Sequence, residues 1–360
     1  MERIRVRLEH DVDDSYDILI GNNLFPLITN GLRKLNLGSV GIITDTNVRK
    51  LYGQNLLTML RNIGIPSILV SFQPGEKSKT RRTKERIEDA LMENKFQRDS
   101  VLLALGGGVA GDITGYVAST YMRGIPYLQI PTTLLAMVDS SIGGKTGVDT
   151  PHGKNMIGTF YQPKGVYMDM GTLKSLSKQE LINGSAEMIK HAIIAEPSYF
   201  IFLSDFIGKI LDLDQFLLPK AIALSITIKR KIVQEDEKEA SSRKKLNFGH
   251  TIGHAIERAS DFAIPHGTAV ALGMIAETKI AKDLGLLNAI DSGKILGLIG
   301  KLGELPSVRK MSNEILAATY HDKKNISGKV RYVLPARIGV AKTDVEVEEK
   351  AVRKALGELP

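Results

Sequence analysis

The chain has 360 residues, 43% of them hydrophobic, and no apolar run approaches the length needed to cross a bilayer, so no transmembrane helix is expected. Its net charge of +8 comes from Lys and Arg interleaved with Asp and Glu, with no basic stripe carrying stacked aromatics, so a small anionic substrate explains the excess better than nucleic acid does. With no cysteine, disulfides and thiolate metal sites are excluded, and a cytoplasmic setting is the simplest expectation.

The length suffices for two domains, each with its own core. The opening residues, Met1 to Leu8, alternate charged and apolar side chains as a strand does, unlike a signal peptide. Strands are expected at 4–8, 16–20, 40–44, 68–72, 101–105, 127–130 and 166–169, with helices at 48–63, 80–94 and 109–120 between them. This alternation predicts a Rossmann-like α/β nucleotide-binding domain with a mostly parallel sheet, at 1–171. From 172 the pattern changes to long helical periodicities at 178–195, 210–238, 246–260, 268–284 and 291–302. A short strand at 331–334 and a helix at 345–356 follow. The second domain, 172–360, is therefore expected to be all-α, with a hinge near 165–176 and the active site in the cleft between the halves.

The segment Gly106-Gly107-Gly108-Val-Ala-Gly111-Asp112 follows a buried strand and opens a helix. In that context glycines let a phosphate approach a helix N-terminus, although a tight turn alone would also select small residues. It departs from the usual dinucleotide pattern by following a late strand, and no acid lies about twenty residues on. Instead Asp45 closes an earlier strand and could take a ribose hydroxyl pair. Downstream, Gly144-Lys145-Thr146 resembles the end of a P-loop, but the opening glycine would have to be residue 139, which is Asp, so an NTPase is rejected. Lys145, Lys154 and Asn155, with Arg123, read either as fixed donors for phosphate or carboxylate oxygens or as a solvated lysine-rich loop.

Of seven histidines, three fall close together: His250, His254 and His266. His250 and His254 share one helix face at i, i+4, and His266 immediately precedes the next apolar helix. They are either packed core histidines or ligands of one cation. Thr251 stands where a zinc protease would carry its base. The best third ligand is Glu187, an acid inside an apolar helix, where an unpaired carboxylate is costly. Two His and one Glu would leave a catalytic zinc site open for substrate.

Several segments in register resemble the 3-dehydroquinate synthase family. They are Gly106 to Asp112, Thr120-Tyr-Met-Arg123-Gly, Pro131 to Lys145, Gly153-Lys154-Asn155, Ala186-Glu187-Met-Ile-Lys190-His191, Leu246 to Glu257 and Asp322-Lys323-Lys324. The resemblance runs from about Asp45 to Pro335 and implies conversion of 3-deoxy-D-arabino-heptulosonate 7-phosphate to 3-dehydroquinate and phosphate in the shikimate pathway. The route it implies is transient oxidation by NAD, phosphate elimination, re-reduction and an intramolecular aldol closure. It also implies a divalent metal, zinc or cobalt, held by Glu187, His250 and His266, and a homodimer. Implied substrate contacts are Asp112, Arg123, Asp139, Lys145, Asn155 and Lys190, then Lys229, Arg243, Asn247, His254 and one of Lys323 or Lys324. Among these, Lys145, Lys229, Arg243, Asn247 and His254 carry catalytic roles with Glu239. Glu239 and His254 match the proton acceptors.

Implied NAD contacts are Asp45, Thr46 and Asn47, Glu76 to Lys79, and Gly106, Gly107 and Gly108. Asp112, Thr132, Thr133 and Lys154 follow, then Thr172, Leu173, Lys174, Ser175 and Asn183. The sequence departs from the family pattern at Ser241-Ser242 and at Ser185, where an apolar residue is usual. Two rivals share the scaffold: another sugar phosphate cyclase, and a metal-dependent polyol or glycerol phosphate dehydrogenase. The dehydrogenase would release NADH and would not need so many anion-binding side chains.

Overall fold

The computed structural model of the chain describes residues 13–35, 38–321 and 330–360. The strand expected at 4–8 lies outside the described residues. Strand β1 (Ile18–Gly21) leads to α1 (Phe25–Lys34) and β2 (Val40–Asp45). Next, α2 (Thr46–Val48) runs through a π-helical turn (Arg49–Gly53) into α3 (Gln54–Asn62). Then come β3 (Ser67–Phe72), α4 (Arg81–Glu93), β4 (Val101–Gly106), α5 (Gly108–Thr120) and β5 (Tyr127–Pro131). A hairpin, β6 (Lys145–Thr150) with β7 (Gly153–Phe160), precedes β8 (Val166–Asp169).

Six of these strands form one parallel sheet in the order β1-β8-β5-β4-β2-β3. Side chains along β4 alternate between its two faces. Leu102 and Ala104 pack with Ile87 and Ile113 of α4 and α5, whereas Leu103 and Leu105 pack with Ile28 and Leu56 of α1 and α3. Burial on both faces explains why these strands read as continuous apolar runs. The chain goes from β2 outward to β3 and then returns to place β4 on the other side of β2. The strand order therefore reverses between β2 and β4, and a crevice opens at their carboxyl ends.

The C-terminal half is mostly helical: α6 (Lys178–Ala195), α7 (Pro197–Leu211), α8 (Leu217–Glu235), α9 (His250–Ala259) and α10 (His266–Asp283). After these come α11 (Ala289–Gly300), α12 (Ser312–His321) and α13 (Glu349–Gly357). Ser177 caps the start of α6, its hydroxyl accepting the Glu180 N–H. The all-α expectation needs one addition: 331–334 belongs to a longer strand, β9 (Arg331–Arg337), paired antiparallel with β10 (Val340–Glu346). The helix expected at 210–238 is interrupted. Leu213 adopts φ +60° and the Asp214 carboxylate caps the Phe216 and Leu217 N–H groups, so a new helix starts there. Likewise 246–260 is broken by left-handed Gly249, which makes His250 the first residue of α9. Among the described residues, no helix is long and apolar enough to cross a membrane.

Candidate active site

Helices α9 and α10 cross with their backbones in contact. A Cβ on Gly273 would sit 2.0 Å from the Gly249 carbonyl oxygen, and one on Gly253 would sit 3.1 Å from the Ala269 carbonyl oxygen. This approach brings together the first residues of both helices, His250 and His266, with ring centroids 5.4 Å apart. The Gly249 N–H, which has no side-chain cap of its own, donates to the buried Glu277 carboxylate of α10 at 2.6 Å. Helix α6 supplies Glu187, fully buried, whose Oε1 lies 3.6 Å from Nε2 of both His250 and His266. The structure thus brings the three expected metal ligands together, with one ligand atom from each lying within 4.8 Å of the others.

The donor set fits a divalent ion. Among the described residues neither carboxylate oxygen of Glu187 has a hydrogen-bond partner of ordinary geometry, and its charge is met by the adjacent ammonium of Lys190. Burial alone would raise the Glu187 carboxyl, but Lys190 and the nearby imidazoles outweigh it and hold the group below its usual range. Burial and then the Lys190 charge depress His250 to about 3, so its imidazole is neutral and competent as a ligand. Its Nδ1 donates to the Phe248 carbonyl at 3.2 Å, which leaves Nε2 directed at Glu187. His266 behaves oppositely. Burial opposes its charge, but the neighbouring Glu187 and Glu257 carboxylates prevail and raise it to about 10.

Two other clusters share residues with this one: His254, Glu257 and His266, and Asp139, Glu187 and His191. The latter already has internal partners. Asp139 pairs with the Lys229 ammonium at 2.6 Å, and His191 Nδ1 lies 2.8 Å from the Ser225 hydroxyl.

The glycine loop lies at the β2/β4 crevice. Added Cβ atoms would meet Ala110 at 2.8 Å from Gly106, Thr133 at 3.3 Å from Gly107 and Ser140 at 3.0 Å from Gly108. Only a bare backbone fits there. Gly107 brings no side chain to the N-terminus of α5, so its N–H groups remain as an anion cradle. Asp45 Oδ1 caps α2 through the Asn47 and Val48 N–H groups, while Oδ2 faces Gly106. Thr132 donates its N–H to the Gly106 carbonyl, and the Thr133 hydroxyl accepts the Ala136 N–H. Across the crevice Tyr52 bonds the Ser175 hydroxyl and the Thr172 carbonyl. Leu173 points into the core, so only its backbone can serve a ligand. The Asn183 side chain is engaged by the Gly267 N–H at 3.1 Å.

The expected anion-binding lysines are matched with acids. Lys79 bonds Asp112 at 2.5 Å and also Asn155; Lys145 pairs with Glu239, and Lys154 pairs with Glu257 at 3.0 Å and Glu76 at 3.6 Å. Asn247 donates to the other Glu239 oxygen at 2.6 Å. Arg243 is buried against Gly143, donating to its carbonyl at 3.2 Å, and Asp236 folds this loop by accepting the Ala240, Ser241 and Arg243 N–H groups. His254 stands one turn beyond His250, with ring centroids 5.2 Å apart. Arg123 is not drawn in. It sits exposed on the turn after α5 at φ +69° and makes no hydrogen bond or ion pair among the described residues. Lys323 and Lys324 lie outside the described residues.

Sequence reasoning missed Glu257, Glu277 and the β6–β7 hairpin that carries Lys145, Lys154 and Asn155. The argument that singled out Glu187, an acid inside an apolar helix, applies equally to both glutamates.

Against this geometry, two family profiles match consecutive stretches: "3-dehydroquinate synthase N-terminal" over residues 69–183 and "3-dehydroquinate synthase C-terminal" over 184–325. The chain is 43% identical to a protein named 3-dehydroquinate synthase from Thermodesulfovibrio yellowstonii, with 99% of this chain and 100% of the relative covered. Among solved structures it resembles ValA, a 2-epi-5-epi-valiolone synthase from Streptomyces hygroscopicus subsp. jinggangensis with NAD+ and Zn2+ bound. That match has 29% identity, a TM-score of 0.88 and 98% of each chain covered. A 2-deoxy-scyllo-inosose synthase complexed with carbaglucose-6-phosphate, NAD+ and Co2+ matches at 25% identity and a TM-score of 0.86, over 95% of this chain and 96% of that one. With profiles matching in both halves and a relative aligned along its entire length, the chain belongs to the 3-dehydroquinate synthase family.

Proposed function

We propose that the chain is a 3-dehydroquinate synthase, an NAD- and metal-dependent carbon–oxygen lyase that converts 3-deoxy-D-arabino-heptulosonate 7-phosphate to 3-dehydroquinate and phosphate in the cytoplasm. The observation that carries this reading is the convergence of His250 and His266 Nε2 on the same buried Glu187 oxygen, each at 3.6 Å. In this reading 1–171 form the NAD-binding unit and 172–360 the metal- and substrate-binding unit, working as a homodimer. When bound, NAD supplies reversible removal of a hydride, and a zinc or cobalt ion supplies Lewis-acid polarisation of the substrate hydroxyls.

The ion would be held by Glu187, His250 and His266. NAD would lie across the β2/β4 crevice, on the bare start of α5 and beside Asp45 Oδ2. The substrate carries a phosphate and a carboxylate, and Lys145, Lys190, Lys229 and Arg243 supply charge-assisted hydrogen bonds worth roughly 1.5–3 kcal/mol each. Because Lys145 is paired with Glu239 beforehand, an anion that recruits Lys145 shifts it off that carboxylate. Glu239 then becomes the proton acceptor, with Asn247 still holding its second oxygen. His254, one turn beyond His250 on the same face of α9, is the second proton acceptor.

The test uses metal-loaded full-length protein, the heptulosonate phosphate and NAD far below the substrate concentration. Phosphate should accumulate in step with dehydroquinate, with no steady growth of NADH absorbance. One NADH per substrate consumed would make the protein a net dehydrogenase. Turnover of a different sugar phosphate alone would make it another cyclase of the same scaffold.

A further inference from the structure

Glu257 has no part in the reading above, yet its carboxylate is buried, with 4% of the side chain exposed, and it lies against His266 and Lys154, with His254 Nε2 4.0 Å from its Oε2. Its Oε2 accepts from His266 Nδ1 at 3.3 Å, and its Oε1 accepts from the Lys154 ammonium at 3.0 Å. An ionised carboxylate is retained in such a place only when its charge is compensated, and here its hydrogen-bond partners, His266 and Lys154, are cationic or proton-donating.

The two histidine ligands are oriented by different devices. The His250 ring is set by a backbone carbonyl, Phe248 at 3.2 Å, which no side-chain substitution removes. The His266 ring begins its helix and is 28% exposed. Of its two nitrogens, Nε2 faces Glu187 and Nδ1 faces Glu257. A carboxylate can only accept at Nδ1, so in the neutral imidazole, the form that ligates a metal, the lone pair falls on Nε2, the atom turned toward Glu187. The same carboxylate reaches Lys154 on β7, whose ammonium also lies 4.5 Å from the centre of the Phe262 ring. Glu257 thereby joins the hairpin to the ligand helix through a single side chain.

We infer that Glu257 is a positioning residue of the metal centre: it fixes the tautomer and ring orientation of His266 and couples that ligand to Lys154. The inference rests on the metal-centre reading. Groups that orient a ligand imidazole in this way typically change metal affinity roughly 10- to 100-fold when removed.

The test titrates Co2+ into metal-free full-length protein against a chelating indicator and records the visible ligand-field spectrum. Wild type should take up Co2+ stoichiometrically. Glu257→Gln, isosteric and uncharged, should bind roughly 10- to 100-fold more weakly, with a shifted spectrum. Glu257→Asp keeps the charge but draws it back, and should fall between the two. Wild-type affinity and spectrum in Glu257→Gln overturn the inference, even if the variant unfolds at a lower temperature, because that pattern describes a structural acid only. Should Glu257→Gln fail to fold, Glu257→Asp decides: weaker binding sustains the inference and wild-type binding overturns it. His250→Ala separates the underlying reading, since full Co2+ uptake by that variant overturns the metal centre itself and this inference with it.

Discussion

The most direct perturbation of the site touches none of its polar groups. Gly273 lies in the middle of α10, and an added Cβ would sit 2.0 Å from the Gly249 carbonyl oxygen and 2.8 Å from the Gly253 nitrogen. Ordinary contact begins at 3.4 Å, and both obstacles are backbone atoms of α9 that no rotamer change can move. Gly273→Ala therefore forces the two helices apart by about 1.4 Å at the crossing, the shortfall between those two distances. Overpacking of this kind costs about 1–3 kcal/mol. The same shift separates the two helix starts that carry His250 and His266. Coordination tolerates only about 0.2 Å, so metal affinity should fall at least about tenfold. Gly297→Ala is the control. Gly297 lies exposed within α11, with nothing within 4 Å of its added Cβ. There the same change should stabilise by about 0.5–1 kcal/mol. Denaturant unfolding of the metal-free proteins and Co2+ competition measure both effects. Gly273→Ala with wild-type stability and wild-type metal affinity would refute the packing argument.

Three further outcomes are expected. Lys145→Met should lower kcat/KM for the heptulosonate phosphate by roughly 10- to 100-fold while changing NAD affinity much less, and equal losses for both ligands would count against its anion-binding role. In the metal-free protein His266 is raised from 6.5 to about 10, with burial opposing the shift and Glu187 and Glu257 driving it. Its contribution to stability is therefore fully present below about pH 6.5 and lost as pH rises through about 10. Urea midpoints across that window should fall in wild type and fall less in His266→Asn. Ser185→Ala should be neutral or stabilising by up to about 1 kcal/mol, because the Ser185 hydroxyl is buried in α6 without a hydrogen-bond partner among the described residues. A thermal melt showing clear destabilisation would mean the hydroxyl has a partner after all.

Much was legible in the sequence because it depends on local periodicity and on the cost of burying charge. The β/α alternation appears in runs such as 101–105, where every side chain is buried on one face of the sheet or the other. Spacing placed His250 and His254 on one face. The rarity of an acid inside an apolar helix pointed to Glu187, which the structure sets beside both His250 and His266. The tertiary structure alone decided which charges pair. Lys145 meets Glu239 94 positions away, Lys154 meets Glu257 103 away, and Lys229 meets Asp139 90 away. Periodicity shows which face of a helix is buried but not what lies opposite it. It also shows no break where the backbone turns left-handed at Gly249 or Leu213, since apolar spacing continues through both. The break at Gly249 puts His250 at the start of its helix, where it faces His266 at the start of the next. The contact between those two starts rests on glycines whose missing side chains let α9 and α10 touch backbone to backbone, a condition that exists only once both helices are folded against each other.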